Sequence, residues 1–155
     1  MSSKPPALII FVGLPGSGKS TYYFAHFADT HVHVSKDLLP RGGRQETLVE
    51  KALAAGRSVV VDNTNPRRAD RSPLLELARR FGARTIAVLV TATVAECLRR
   101  NAAREGRARV PGVAIYVAAK KLEPPSCEEG FDEVLEASMA EDGSWSVGTL
   151  LARQT

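Results

Sequence analysis

The chain has 155 residues, 44% of them hydrophobic, which is the size of one compact domain with a real core. Its formal net charge of +4 and pI near 9.3 are a mild basic excess, so charge alone demands no polyanionic partner. The six apolar residues between "MSSKPP" and Gly13 are too few for a secretory h-region or a membrane span, and Cys97 and Cys127 form neither a CxxC pair nor a metal-spaced cluster. A soluble, intracellular, cytoplasmic protein with ordinary reduced thiols is expected, with no membrane association.

In chain order, an N-terminal tail (1–6) leads into the apolar run "ALIIFV", predicted as a strand over 7–12. "GLPGSGKST" follows, and a helix is predicted over 18–28. "HVHV" (31–34) is a second strand and ends near Asp37. Leu48, Val49, Ala52 and Leu53 give the stretch 45–55 one apolar helical face, and Gly56 sits just past it, where a left-handed cap suits glycine. "SVVVDN" (58–63) is a third strand, carrying Asp62. A helix over 73–81 presents Leu74, Leu77, Ala78 and Phe81 and ends at Gly82. "TIAVLV" (85–90) is a fourth strand. Val94, Cys97 and Leu98 start another helix that runs into "RRNAAREGRAR", with five arginines between Arg99 and Arg109. A helix over 113–122, the turn "LEPPSCEEGF", a strand over 131–137 and an edge strand in "SWSVGTLLARQ" complete the chain. There is no internal repeat and no linker. Strands that are apolar throughout, alternating with helices, predict an α/β domain: a parallel sheet of about five strands flanked by helices.

Gly13, Gly16, Gly18, Lys19 and Ser20 fit GxxxxGK[ST] between a strand and a helix, the context the motif needs. Glycines let backbone N–H groups converge on phosphate oxygens at the positive end of the helix. The loop over 13–20, with Pro15 and Ser17, is therefore expected to hold a nucleoside triphosphate. Lys19 supplies charge to the β and γ phosphates and Ser20 a hydroxyl for Mg²⁺. Thr21 is helix packing or a secondary phosphate contact. Asp37, near a strand end that faces the ligand crevice of a parallel sheet, is a general base or a helix cap. Asp62 is a partner of the Mg²⁺ shell or the start of an Asx-turn. Tyr22, Tyr23, Phe24, Phe27 and Tyr116 read as packing. His26, His31 and His33 lack ligand spacing and read as structural or exposed, and Glu123, Glu128 and Glu129 read as solvated.

The segments "FVGLPGSGKST", "HVHVSKD", "VVVDNTNPRRADR", "RNAAREGRARVP" and "KKLEPPSCEEGFDEVLEA", in this order and spacing, resemble the polynucleotide 5′-kinases, and in particular the kinase domain of animal polynucleotide kinase/phosphatases. The likeness runs from about Leu8 to Ala137. It implies a kinase-type P-loop fold with an arginine-rich helical lid over about 99–112. It also implies transfer of the γ-phosphoryl of ATP, with Mg²⁺, to a nucleic-acid 5′-hydroxyl. On the matching positions Asp37 takes the acceptor proton, Lys19 and Ser20 hold triphosphate and metal, and Arg104, with Arg100 beside it, contacts the phosphates. The acceptor side is Asp37 with Lys36, Arg41, Arg44, Asp62, Thr64 and Asn65. "LEPPSCEEGF" borders an adenine pocket by analogy or is a plain connection.

The chain departs from the family at Lys36, where an arginine usually precedes the catalytic acid; an ammonium holds a phosphate but cannot grip it bidentately. Arg41 and Arg44 compete for one acceptor-phosphate role across "LPRGGRQ". No DxDx[TV] acid pair is present, so no 3′-phosphatase activity is expected. A small-molecule kinase, a non-catalytic nucleotide-binding module and an ATPase acting on a partner protein are the alternatives.

Overall fold

The computed structural model describes residues 4–40, 42–106 and 109–152. Strands β1 (Ala7–Val12), β2 (Val32–Val34), β3 (Val59–Val61), β4 (Arg84–Thr91), β5 (Glu133–Met139) and β6 (Trp145–Ala152) form one sheet in the order β2-β3-β1-β4-β5-β6. The first five pair in parallel, and β6 runs antiparallel to β5 at the edge. Helices α1 (Lys19–His26), α2 (Gln45–Ala54), α3 (Arg68–Arg80), α4 (Val94–Ala102) and α5 (Gly112–Lys121) flank it.

The continuous apolar character of the central strands follows from being covered on both faces. Along β1, Leu8, Ile10 and Val12 point into a core shared with α2 and α3, whereas Ile9 and Phe11 point into a second core with Tyr22 and Tyr23 of α1. β3 repeats this, with Val59 and Val61 on one face and Val60 on the other. All three valines are fully buried, each contributing about 1.5–3 kcal/mol relative to exposure.

Two elements start two or more residues from expectation. α3 begins at Arg68 rather than Pro73: the Asp70 carboxylate accepts the Arg67 backbone N–H at 3.0 Å, an acid well placed at a helix start, and Pro73 is tolerated inside the helix. β5 begins at Glu133 rather than 131, because the Asp132 carboxylate accepts the Thr85 backbone N–H at 2.9 Å and ends the strand pairing there. Phe24 and Tyr116, expected as packing, are 65% and 53% exposed. Among the described residues no helix is long and apolar enough to cross a membrane.

The register brings the chemistry together. β2, β3 and β1 are neighbours, and Val34 and Val61 share a rung with Ile10. The segments that leave their carboxyl ends, carrying Asp37, Asp62 and the glycine loop, emerge side by side.

Candidate active site

The loop after β1 turns through Gly16 (φ 83°) and Gly18 (φ 103°), both left-handed. A Cβ on Gly16 would lie 2.5 Å from the Cys97 carbonyl oxygen of α4, so no larger residue fits there. The loop is braced from within and from two neighbours. Gly13 N–H donates to the Thr64 carbonyl (3.2 Å), Ser17 N–H to the Leu14 carbonyl (3.0 Å), and the Arg100 guanidinium to the carbonyls of Ser17 (3.1 Å) and Gly16 (3.4 Å). Ser17 Oγ, inside the loop, is the one buried side-chain polar atom without a hydrogen-bond partner among the described residues. Such an orphan hydroxyl, together with left-handed glycines at a helix N-terminus, suits a phosphate chain.

Lys19 starts α1 and is buried, its ammonium donating to the carbonyls of Leu14 (2.8 Å) and Gly13 (3.0 Å). Burial pulls its pKa from 10.5 to about 8, against the raising influence of the Asp62 carboxylate; Arg104 lowers it further and Asp37 raises it. Lys19 thus feels both acids and the arginine that the sequence proposed as its partners.

Ser20 donates its hydroxyl to Asp62 Oδ2 at 2.7 Å, and His33 Nε2 contacts the same oxygen at 2.7 Å. Asp62 is almost fully buried, at the end of β3, and its own N–H donates to the Val34 carbonyl. A hydroxyl and a carboxylate are hard oxygen donors. Two of them, short of a full protein cage, fit Mg²⁺, which keeps waters and binds phosphate oxygens for the remainder of its octahedron. Among the described residues no cluster of three or more acidic, imidazole or thiol groups offers a competing metal site.

Asp37 lies in a 3₁₀ turn (Lys36–Leu38) directly after β2. The cap of that turn is Ser35, whose hydroxyl accepts the Asp37 N–H at 3.3 Å, so the Asp37 carboxylate is not the cap. Asn63 fixes the turn against β3: its Oδ1 accepts the Lys36 N–H (2.8 Å) and its Nδ2 donates to Gln45 of α2. Asp37 then lines a cavity of about 220 Å³ with Pro15, Lys19, Ser20, Lys36, Asp62, Thr64 and Arg104. Lys36 and Thr64 also border a cavity of about 410 Å³ that extends to Glu46, Arg67, Asp70 and Lys121. Lys36 and Arg44 border a third, of about 550 Å³.

The remaining expected residues are not brought into the central cavity. Arg44 is exposed in the third cavity, Thr21 is exposed on α1, and Arg100 grips the back of the glycine loop. Arg41 lies outside the described residues. The Asn65 amide is buried and donates to the Phe11 carbonyl at 3.0 Å, in a left-handed backbone (φ 42°) that asparagine tolerates. Glu129, read as solvated, has a buried side chain: it pairs bidentately with the fully buried Arg71 (2.8 and 2.9 Å), and Arg71 Nη1 also donates to the Asn65 carbonyl. Sequence reasoning missed Arg71, His33, Asn63 and Asn101. The last donates to and accepts from the Val110 backbone (2.7 and 3.0 Å), joining the two ends of the segment that carries Arg104. It also missed Trp145, whose ring packs over Gly18 and 4.8 Å from Tyr22. "LEPPSCEEGF" docks on the loop after β3 through Glu123 N–H to the Pro66 carbonyl, and on α3 through the Arg71–Glu129 pair.

A glycine loop, a lysine and a serine–aspartate pair on adjacent strand tips are the parts of a P-loop phosphotransferase, and the family model described as AAA domain matches residues 8–125. The chain belongs to that family. This AAA-domain chain is 26% identical over 138 residues to the bifunctional polynucleotide phosphatase/kinase of Schizosaccharomyces pombe, covering 86% of this chain and 34% of that protein. It is 28% identical over 151 residues to a protein of Acanthamoeba polyphaga mimivirus given the same name provisionally, covering 89% of this chain and 36% of that one. The chain therefore spans about a third of the length of these curated relatives. Among solved structures, a gluconokinase from Sinorhizobium meliloti 1021 superposes with a TM-score of 0.61 at 22% identity, over 90% of this chain and 86% of that one, a likeness of fold.

Proposed function

We propose that the chain is an ATP-dependent kinase that transfers the γ-phosphoryl group to a hydroxyl, with the 5′-hydroxyl of a DNA or RNA end as acceptor. The observation that carries this is the shared lining of one cavity by Lys19, Ser20, Asp37, Asp62 and Arg104. A nucleotide site alone would need no exposed carboxylate opposite the phosphate loop.

In this mechanism the loop N–H groups and Lys19 hold the triphosphate. Ser20 and Asp62 would hold Mg²⁺, which when bound neutralises charge on the phosphates. Asp37 accepts the proton of the incoming hydroxyl as its oxygen bonds to the γ-phosphorus. The bond from that phosphorus to the bridging oxygen breaks, and ADP leaves with the electron pair. Arg104 and Lys19 stabilise the charge spread over the equatorial oxygens. Arg100, bonded to the loop carbonyls, keeps the cradle in shape. The names of the two curated relatives, together with Lys36 and Arg44 on the acceptor side, support a phosphate-bearing acceptor.

A second reading, phosphorylation of a small polar metabolite, is favoured by the adjoining 410 Å³ cavity, whose mixed lining of Lys36, Arg67 and Lys121 with Glu46 and Asp70 offers both donors and acceptors to a polyhydroxy compound. Incubation with γ-labelled ATP and a panel of 5′-hydroxyl oligonucleotides, sugars and sugar acids separates the two. Oligonucleotide labelling that weakens steeply with salt is expected; labelling of the small acceptors alone overturns the nucleic-acid acceptor. The Asp37→Asn variant should transfer about 10²–10⁴-fold more slowly at unchanged nucleotide affinity.

A further inference from the structure

His33 is the middle residue of β2, and its side chain leaves the sheet toward α1. The ring stacks on Tyr23 with centroids 3.8 Å apart and planes 11° from parallel, and Phe24 meets it edge-on at 5.4 Å. Tyr23 is itself anchored, its hydroxyl donating to the His31 carbonyl at 2.6 Å. In that setting His33 Nε2 reaches Asp62 Oδ2 at 2.7 Å, with side-chain exposures of 13% and 2%. A carboxylate oxygen accepts, so the hydrogen of this contact is assigned to Nε2, which donates it.

The same oxygen accepts the Ser20 hydroxyl at 2.7 Å. Ser20 has one hydroxyl proton, and committing it to Asp62 turns its lone pairs elsewhere. Asp62 Oδ1 receives no hydrogen bond from any described residue. With one carboxylate oxygen claimed by two donors, rotation of the carboxylate about its last torsion is blocked and Oδ1 is kept for the cavity.

We infer that His33 is a positioning residue for the divalent cation: its Nε2–H locks the Asp62 carboxylate in the rotamer that serves the cation and, through Asp62, orients the Ser20 hydroxyl. The inference rests on the reading of Ser20 and Asp62 as the cation's ligands. If the ring merely filled the gap between α1 and the sheet, its shape would suffice. Positioning instead requires the N–H, and outer-sphere donors of this kind matter to metal affinity by about 10–100-fold.

Two substitutions separate these roles. His33→Phe keeps a ring against Tyr23 and lacks the donor; His33→Gln keeps an N–H near the place of Nε2 and lacks the ring. Binding of ADP is measured by calorimetry across a Mg²⁺ titration and again in EDTA, with no acceptor present. His33→Phe should raise the half-saturating Mg²⁺ about tenfold or more while His33→Gln stays within about threefold of wild type. Affinity for ADP in EDTA should be unchanged in both. An unchanged Mg²⁺ requirement in His33→Phe, or an equal rise in both variants, overturns the inference. If His33→Phe does not fold, His33→Ala replaces it, and the inference stands only if His33→Gln needs less Mg²⁺ than His33→Ala. ADP binding by the wild type that ignores Mg²⁺ altogether would instead overturn the assignment of Ser20 and Asp62, and failure to label oligonucleotides would bear on the acceptor alone.

Discussion

On the loop side of the cavity, Lys19, Ser20 and Asp62 are largely buried and bonded to one another's neighbours, on a strand tip, a helix start and a loop pinned by Thr64 and Arg100. On the opposite side Lys36 and Asp37 are exposed, and the turn that holds them is three residues long and tied down by Ser35 and Asn63. The first side is held in a single arrangement by these bonds. The second presents charge to a space that opens into two further cavities, so the proposed donor end is preorganised and the acceptor end is permissive.

That contrast can be broken or sharpened by experiment. The largest effect is expected at Arg104, which lines the cavity with residues of both sides. Arg104→Ala should slow phosphoryl transfer about 10³-fold or more in single-turnover assays, and a change below tenfold would remove it from the transition state. Next, Glu129→Ala strands the buried Arg71 beneath the Asn65 turn and should lose about 3–5 kcal/mol in denaturant unfolding. If the acceptor side is the adaptable one, the fraction still folded should retain its nucleotide affinity.

Titration of Lys19 tests the donor side. Bound phosphate favours the ammonium, so the complex has a higher pKa than the free protein's value of about 8. Nucleotide affinity should therefore fall as pH rises past about 8, by up to tenfold per unit, and Lys19→Met should abolish that slope. The ligand-free fold should respond in the opposite sense: with the folded pKa depressed, the unfolded chain binds more protons between pH 8 and 10.5, so stability rises with pH across that window. The smallest effect is expected at Arg44, exposed in the third cavity. Arg44→Ala should weaken oligonucleotide binding a few-fold and reduce the salt slope by about one, without altering nucleotide binding.

The parts legible in the sequence are those written in contiguous residues. "GLPGSGKST" after an apolar strand declares its own chemistry, and continuous β-branched runs announce strands covered on both faces. The unread parts are pairings across the fold. His33 and Asp62 are 29 positions apart and Arg71 and Glu129 are 58 apart, so only the order of the strands and the docking of α3 bring them together. Arg71 was hidden further because an arginine reads as a surface residue, yet three of its nitrogens are satisfied inside. Asn65 lines the adjoining cavity, but the inward turn of its amide is not legible, for a related cause. An asparagine near a strand tip suggests a ligand contact, whereas the left-handed turn it adopts sends its amide back to the Phe11 carbonyl.

Trp145 is the chain's single indole, and it opens the edge strand by resting on Gly18, where the glycine loop becomes helix. The protein thereby carries its own optical gauge. Entry of a charged group into the loop will alter the emission of that chromophore, so occupancy can be followed in the unlabelled, unmutated chain.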